Sequence, residues 1–410
     1  MRKGFTLIEL LVVIAIIAIL AVVVVLTLNP AELLRQSRDS NRVSDMSTLN
    51  SAINLYTTDQ SGASSFSLGS SSVVYVSIPD PSATSTVGDQ CQGLGLISLP
   101  STYMYHCAAS STFKSINGSG WIPVNLTNLS SGSPISNLPA DPINQSSSRL
   151  YYTYTTNGSQ FEVTAPMESQ KYQLGGSNDQ ISGDGGPLAT VYEKGSQLGL
   201  EPLDYGDSSL VGLWTMDEGT GTTAYDWSGN GNNGTLSSPA PTWTTGKVGN
   251  GALNFNGSNN SVSTGANNIP LGSNPRSVFA WVYLPSVGGD YIIQSYGTYS
   301  GSEYSALWAY GGDVYYGDGA EGFVGPSGIT SNTWCFVGYT YNGGTSATVY
   351  INGQPTTGNF SSPMNTVLGS VAIGLGYNPS HDFSGLIDDV RIYNRSLSTT
   401  QVQAMYNGGK

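Results

Sequence analysis

The sequence predicts a multidomain chain: a long N-terminal transmembrane helix, an α+β globular head, and an all-β sandwich of jelly-roll type. Three observations predict it. From Leu10 to Leu28 the only polar side chain is Thr27. Beyond Asn29-Pro30, Val43, Met46, Leu49, Ile53 and Tyr56 recur at steps of three or four, one stripe of a helix. Residues 209–410 consist of short strand candidates separated by Gly/Asn turns, a pattern that suits a sandwich. The predicted parts are a helix over 5–56, a head over 57–200, a linker over 201–208, where Gly, Pro and Asp collect, and the sandwich over 209–410.

Composition narrows the function. The 410 residues carry a net charge of −13, distributed as +2 over 1–42, −9 over 43–208 and −6 over 209–410. An acidic chain with no basic cluster beyond residue 42 does not suit nucleic acid. Two His, His106 and His381, and three Cys without Cys-x-x-Cys spacing leave little material for a transition-metal site. No phosphate-binding Gly-x-x-x-x-Gly-Lys-Ser/Thr loop or nucleophilic Gly-x-Ser-x-Gly elbow is present, so the chain reads as a non-enzyme.

Each element follows from its residues. The 19-residue run Leu10–Leu28, at about 1.5 Å per residue, spans about 28 Å, the thickness of the hydrocarbon core. Arg2 and Lys3 before it place the N-terminus in the cytoplasm. A cleaved secretory signal has a shorter apolar run followed by a small-residue cut site, whereas here the plausible cut, after Gly4, precedes the run. Glu9, near the start of a membrane helix, needs a partner. Met-Arg-Lys-Gly-Phe-Thr-Leu-Ile-Glu-Leu resembles the leader of bacterial type IV prepilins and type II secretion pseudopilins. The resemblance implies a leader over 1–4, cleavage after Gly4 by a prepilin peptidase, and N-methylation of Phe5. It implies that Glu9 pairs with the N-terminal ammonium of a neighbouring pilin subunit, in a homo- or hetero-filament. It also implies a precursor crossing the inner (cytoplasmic) membrane once, then a pilus at the cell surface or outside it.

Pro30 lacks an N–H donor and can kink the helix or start a new one. Arg35, Arg38 and Arg42 read as a solvated helix face, with lipid-headgroup contact as the alternative. In the head, Val73–Ile78, Leu150–Thr155 and Gln160–Thr164 read as strands, the last two joined at Asn157-Gly158. Gly120–Val124 and Leu138–Pro142 look like the loop before the sheet of pseudopilin-like heads, some of which bind calcium. Asn178, Asp179 and Asp184 suit such a site, or form a solvated acidic loop. Cys91 and Cys107 are expected to form a disulfide, worth about 3 kcal/mol in a chain-entropy model. Cys335 reads as a buried strand residue and His106 as a partly buried aromatic.

The strand candidates of the last region are Leu210–Met216, Ala252–Phe255, Ser277–Leu284, Tyr291–Ser295, Trp334–Tyr341, Ala347–Ile351, Ser370–Ile373 and Leu386–Tyr393. Gly-Leu-Trp-Thr-Met-Asp-Glu-Gly from Gly212, Asp-Trp-Ser-Gly-Asn-Gly from Asp226 and Gly-Ala-Leu-Asn-Phe-Asn-Gly from Gly251 come first. Val-Tyr-Ile-Asn-Gly from Val349 and Gly-Leu-Ile-Asp-Asp-Val-Arg-Ile-Tyr from Gly385 follow. In that order they resemble laminin-G-like jelly-roll domains of the concanavalin A-like superfamily. The resemblance implies a domain that binds carbohydrate or protein ligands and holds a structural calcium. Strand alternation puts Asp388 on one face with Leu386, Val390 and Ile392, and a carboxylate buried there needs a cation or several hydrogen bonds. Asp217, Glu218 and Asp226 can supply further oxygens. Alternatively, Asp226 caps a turn and backbone N–H groups satisfy Asp388.

Trp308, Tyr310, Tyr315 and Tyr316, with Asp313 and Asp318 nearby, are candidate sugar-stacking residues, or sheet packing. None of the nine Glu lies in a Glu-x-Asp-x-x-Glu or Glu-x-Asp-x-Glu strand of the superfamily's endoglucanases. Asp217 and Glu218, adjacent on a strand, point to opposite faces and cannot flank one glycosidic bond. The expected function is a pilin-like or pseudopilin-like filament subunit displaying a non-catalytic laminin-G-like domain for adhesion. The alternatives are a structural minor or tip subunit, a secretion pseudopilin without ligand, and a tethered glycan hydrolase.

Overall fold

Two helices, a five-stranded sheet and a two-sheet sandwich follow one another along the chain. The computed structural model describes residues 6–409 except 65, 83–90, 92, 98, 100–102, 187, 250, 300–302, 318–321, 370 and 378; at 21–28, 322–324, 326 and 379 it describes the backbone alone. Gly4, Phe5 and Asp318 therefore lie outside the described residues.

Helix α1 (Leu7–Leu28) opens with a capping box. Glu9 Oε2 accepts from the Thr6 N–H at 2.8 Å and the Thr6 hydroxyl at 2.7 Å, while the Glu9 N–H donates to Thr6 Oγ1 at 3.3 Å. The described side chains from Leu7 to Leu20 are exposed on every face, an apolar surface that seeks a nonpolar surrounding. Among the described residues no helix is long and apolar enough to cross a membrane, the described side chains of α1 ending at Leu20.

The helix expected over 5–56 is two helices. Asn29, at φ +38°, turns left-handed and accepts from the Glu32 N–H at 3.4 Å, and Pro30 opens α2 (Pro30–Gln60). Proline at the first helical position gives up no hydrogen bond there. α2 buries Met46, Leu49, Ile53 and Tyr56 against the head.

The reading of the arginines as a solvated or headgroup-facing row is corrected. Arg42 has no exposed surface: it donates from Nε and Nη2 to Asp141 at 2.6 and 3.0 Å and from Nη1 to Asp39 at 2.7 Å. Its Nη1 also lies 2.6 Å from Glu168 Oε1, and Arg38 grips Glu168 through Nε and Nη2 at 2.8 and 2.7 Å. A guanidinium can be buried when such a fork is filled by carboxylates. Burial pushes the Glu168 carboxyl up, but Arg38 and Arg42 outweigh it and hold it below its usual range. Arg35 alone keeps to the surface, 3.9 Å from Glu32.

The head sheet contains β1 (Val73–Asp80), β2 (Met104–Ala109), β3 (Thr153–Thr156), β4 (Phe161–Pro166) and β5 (Val191–Gly195), in the order β2-β1-β3-β4-β5. Only β1 and β2 pair in parallel. Asn157 Oδ1 accepts from the Ser159 and Gln160 N–H groups to close the β3–β4 turn, where Gly158 sits at φ +92°. Cys91 and Cys107 are disulfide-bonded, with Cα atoms 5.4 Å apart, and the His106 ring lies 5.1 Å from Tyr75. Residues 201–208 are not a loose linker: Leu203 and Tyr205 pack in the head core, and Asp204 accepts from the Ala189 and Thr190 N–H groups at 2.9 and 3.0 Å.

The sandwich strands are β6 (Leu210–Trp214), β7 (Thr223–Ala224), β8 (Gly234–Leu236), β9 (Thr242–Thr244), β10 (Ala252–Asn256), β11 (Val262–Thr264), β12 (Arg276–Tyr283), β13 (Asp290–Gly297), β14 (Tyr304–Tyr310), β15 (Asp313–Gly317), β16 (Gly322–Ser327), β17 (Trp334–Tyr341), β18 (Ser346–Ile351), β19 (Gln354–Asn359), β20 (Val371–Ile373) and β21 (Ser384–Tyr393). One sheet runs β19-β18-β17-β12-β21-β10-β9 with β6 on β21; the other runs β16-β15-β14-β13-β20-β11-β8-β7. Alternation on β12 sends Val278, Ala280 and Val282 into the core between the sheets and Phe279 and Trp281 to the outer side. There they meet a C-terminal helix absent from the sequence reading, α3 (Thr399–Gly408), through Val402 and Met405, and Ala189 of the head. The head, through Leu174 and Ala189, and α3 thus cover part of the outer side of the first sheet. Arg395 bonds Asp207 at 2.8 Å across this seam, and Arg391 approaches Asp204 at 3.8 Å.

Candidate functional site

The outer face of the second sheet is built by alternation. Tyr304, Ala306, Trp308 and Tyr310 of β14 point outward, while Leu307 and Ala309 enter the core. Ile292 lies opposite Trp308 on β13, and Tyr315 opposite it on β15. The Trp308 and Tyr315 rings stack at 5.3 Å, and Tyr310 lies 6.5 Å from Tyr315. Tyr316, the next residue, must face inward: it has no exposed surface and stacks on Tyr339 at 3.5 Å. It is removed from the candidate ligand residues.

Two residues that the sequence reading did not single out complete the surface. Tyr299, from the β13–β14 connection, and Tyr377, from the segment before β21, stack at 3.8 Å. With Asp290, Ile292, Tyr304, Ala306 and Trp308 they line a cleft of about 150 Å³. Tyr299, Tyr310 and Tyr377 are 44%, 52% and 41% exposed, and among the described residues they are the exposed aromatic side chains, all at or beside this cleft. At its edge His381 Nε2 lies 2.7 Å from the Tyr377 hydroxyl and 3.2 Å from Asp290 Oδ2. Burial pushes the Asp290 carboxyl up, against the pull of His381, and its Oδ1 is buried without a hydrogen-bond partner. Aromatic faces beside a carboxylate and an imidazole can stack on a sugar ring and hydrogen-bond its hydroxyls.

The four carboxylates named as calcium ligands do not converge. Asp226 uses both oxygens on backbone: Oδ1 accepts from Leu213 and Ser228, each at 3.0 Å, and Oδ2 from Asn232 at 2.8 Å. Asp217 Oδ1 accepts from the Gly251 N–H at 2.6 Å and Glu218 Oε1 from the Tyr225 N–H at 2.7 Å. Asp388 is not on the core face, because Asp389, at φ +52°, makes a bulge that shifts the register between β12 and β21. Ile387, Val390 and Ile392 fill the core instead. The Lys247 and Val248 N–H groups donate to Asp388 Oδ2 at 2.6 and 2.9 Å, and Oδ1 is buried without a partner. Burial, reinforced by Asp389, pushes this carboxyl up to about 8. Among the described residues no group of three or more His, Cys, Asp or Glu is disposed to hold a metal, so a calcium held by these four together does not fit. In the head, Asp179 accepts from Gly175, Ile181 and Ser182, and Asp184 from Gly186 and Glu193, so both close loops through backbone N–H groups.

A family model described as a prokaryotic N-terminal methylation motif matches residues 1–25, and one described as the concanavalin A-like lectin/glucanases superfamily matches 256–403. No curated protein matches the chain. Among solved structures, domain 4 of AbnA, an extracellular GH43 arabinanase from Geobacillus stearothermophilus in complex with arabinotriose, is 21% identical, with 48% of this chain and 98% of that one covered and a TM-score of 0.38. The botulinum neurotoxin serotype D binding domain is 19% identical, with 49% and 52% covered and a TM-score of 0.40. The binding domain of Paraclostridial Mosquitocidal Protein 1 is 17% identical, with 48% and 52% covered and a TM-score of 0.39. The chain spans about half the length of these two toxin domains. It joins a prokaryotic N-terminal methylation motif to a domain of the concanavalin A-like lectin/glucanase superfamily.

Proposed function

We propose that the chain is a type IV pilin-like or pseudopilin-like filament subunit whose sandwich binds carbohydrate or protein ligands at the cell surface, without catalysis. The observation that carries this reading is an aromatic cleft on the sheet that the head leaves uncovered, in a chain that begins with a methylation motif. In this proposal α1 crosses the inner membrane once, prepilin peptidase cuts after Gly4, Phe5 is methylated, and Glu9 exchanges its Thr6 contacts for the ammonium of a neighbouring subunit. The mature protein is expected to have the intact mass of a chain beginning at methylated Phe5; a mature chain beginning at Met1 would remove the filament reading.

The ligand test uses the detergent-solubilised full chain on an array of glycans and matrix proteins. Trp308→Ala is expected to weaken the bound class about tenfold, the loss of one stacking platform. Silence across the array, with a folded protein, would favour a structural minor or tip subunit, and a need for the protein in export would favour a secretion pseudopilin. Released sugar would identify a tethered hydrolase. Calcium enters as a structural ion at one place, beside Lys247 and Val248, where Asp388 Oδ1 is a buried acceptor within the field of Asp217. The melting temperature is expected to rise with calcium in the unaltered protein and not in Asp388→Asn; no rise removes calcium from the proposal.

A further inference from the structure

We infer that the seam between head and sandwich holds a second ligand site, for a neutral carbohydrate. A cleft of about 730 Å³ opens there, walled by Tyr103 and Glu201 of the head and by Thr215, Glu218, Tyr225 and Trp227 of the sandwich. Four of these residues carry buried polar atoms without a hydrogen-bond partner: Glu201 Oε1, Thr215 Oγ1, Glu218 Oε2 and Trp227 Nε1. Glu201 is 2% exposed, and its other oxygen is taken by the Thr153 hydroxyl. The Tyr225 N–H occupies the other oxygen of Glu218. Burial pushes the Glu218 carboxyl up, with the neighbouring Trp227 N–H pulling against it without completing a hydrogen bond.

Each unpartnered buried polar group costs on the order of 1–3 kcal/mol, so four around one cleft point to an occupant that completes them. Their residues border the cleft. The chemistry of the four selects the class. Two are carboxyl oxygens, one is a hydroxyl and one is an indole N–H that can only donate. A metal ion or ammonium would serve the carboxyl oxygens and leave Trp227 unpaired. An anion only accepts, so it would serve Trp227 and leave the Glu218 oxygen without a donor. A sugar hydroxyl both donates and accepts, so one polyhydroxylated ligand can serve all four. Tyr103, Tyr225 and Trp227 offer ring surface for its C–H faces. Lys247, also on the wall, holds its ammonium over the Trp281 ring at 5.3 Å. The site lies on the opposite side of the sandwich from the Trp308 cleft and stands whether or not that cleft takes a glycan.

The test titrates the detergent-solubilised full chain by calorimetry with neutral cello-, xylo-, malto- and arabino-hexaose, and separately with spermidine and calcium chloride. At least one hexaose is expected to bind with a Kd raised tenfold or more by Glu218→Gln and by Trp227→Phe, which keeps the ring face and removes the N–H. Thr215→Val, which removes only a hydroxyl, covers the case in which either variant fails to fold, as judged by its melting temperature. The proposal is overturned if no hexaose binding is weakened by these variants, or if they alter only the binding of spermidine or calcium. A signal lost in Trp308→Ala belongs to the outer cleft and bears on that reading alone.

Discussion

Arg42 fastens the N-terminal helix to the head, since its guanidinium is the common partner of Asp39, Asp141 and Glu168. Arg42→Met would leave Asp39 and Asp141 buried without their cation, Glu168 keeping Arg38. A loss of about 3–5 kcal/mol is expected in urea denaturation, and Arg42→Lys is expected to recover little, because one ammonium cannot fill the fork. Glu201 works in the other direction. Burial pushes its carboxyl from 4.5 up to about 8, so the folded chain holds a proton there that the unfolded chain has lost. Stability from this group is full below about 4.5, falls as pH rises through that window and levels off above about 8. Melting temperatures at pH 5, 6.5 and 8 are expected to decline, with a shallower slope in Glu201→Gln. Neither role was readable in the sequence. Asp141 stands 99 positions from Arg42, and charge patterning along a helix says nothing of a partner that far away. Tyr316 was readable: the rule that sets Asp217 and Glu218 on opposite faces also forbids Tyr315 and Tyr316 from sharing one.

At the scale of elements, long alternating runs announced themselves and short or interrupted ones did not. Trp334–Tyr341 was expected and found with the same ends, whereas the two- and three-residue strands β7, β8, β9 and β11 carry too few side chains to show a period. β21 was expected in place, but a single left-handed residue, Asp389, inverted half its facing pattern. Asp389→Val is expected to cost about 1–2 kcal/mol for forcing a branched residue into that conformation and to lose the Arg391 contact besides; Asp389→Asn, which tolerates it, is expected to cost less in thermal denaturation. α3 escaped notice although Ser398 and Gln401 form a capping box at its start. Ser398→Ala should lower stability by about 1 kcal/mol, read as a melting shift.

On the scale of the whole molecule, the head and sandwich meet through Leu174 and Ala189 on the outer face of the first sheet, α3 and two arginines, and the residues between them are packed rather than slack. The Asp204 N–H donates to the Trp227 carbonyl across the same seam at 3.2 Å. Arg395→Ala is expected to speed amide hydrogen exchange at Asp204 while protection in the two cores persists; unchanged exchange there would show that the apolar contacts alone hold the seam. The family of the sandwich and the character of the N-terminus were visible in local motifs. The Tyr299–Tyr377 pair was not, because it joins loops 78 positions apart that meet only when β13, β14 and β20 lie side by side.

The buried course of residues 201–208 has a mechanical side. A tug on the outer sheet cannot simply unreel this segment and let the sandwich trail behind the head. Tension must first strip Arg395 from Asp207 and draw Leu203 and Tyr205 out of the head core. The chain would behave as a stiff bracket up to that yield point and as a tether beyond it.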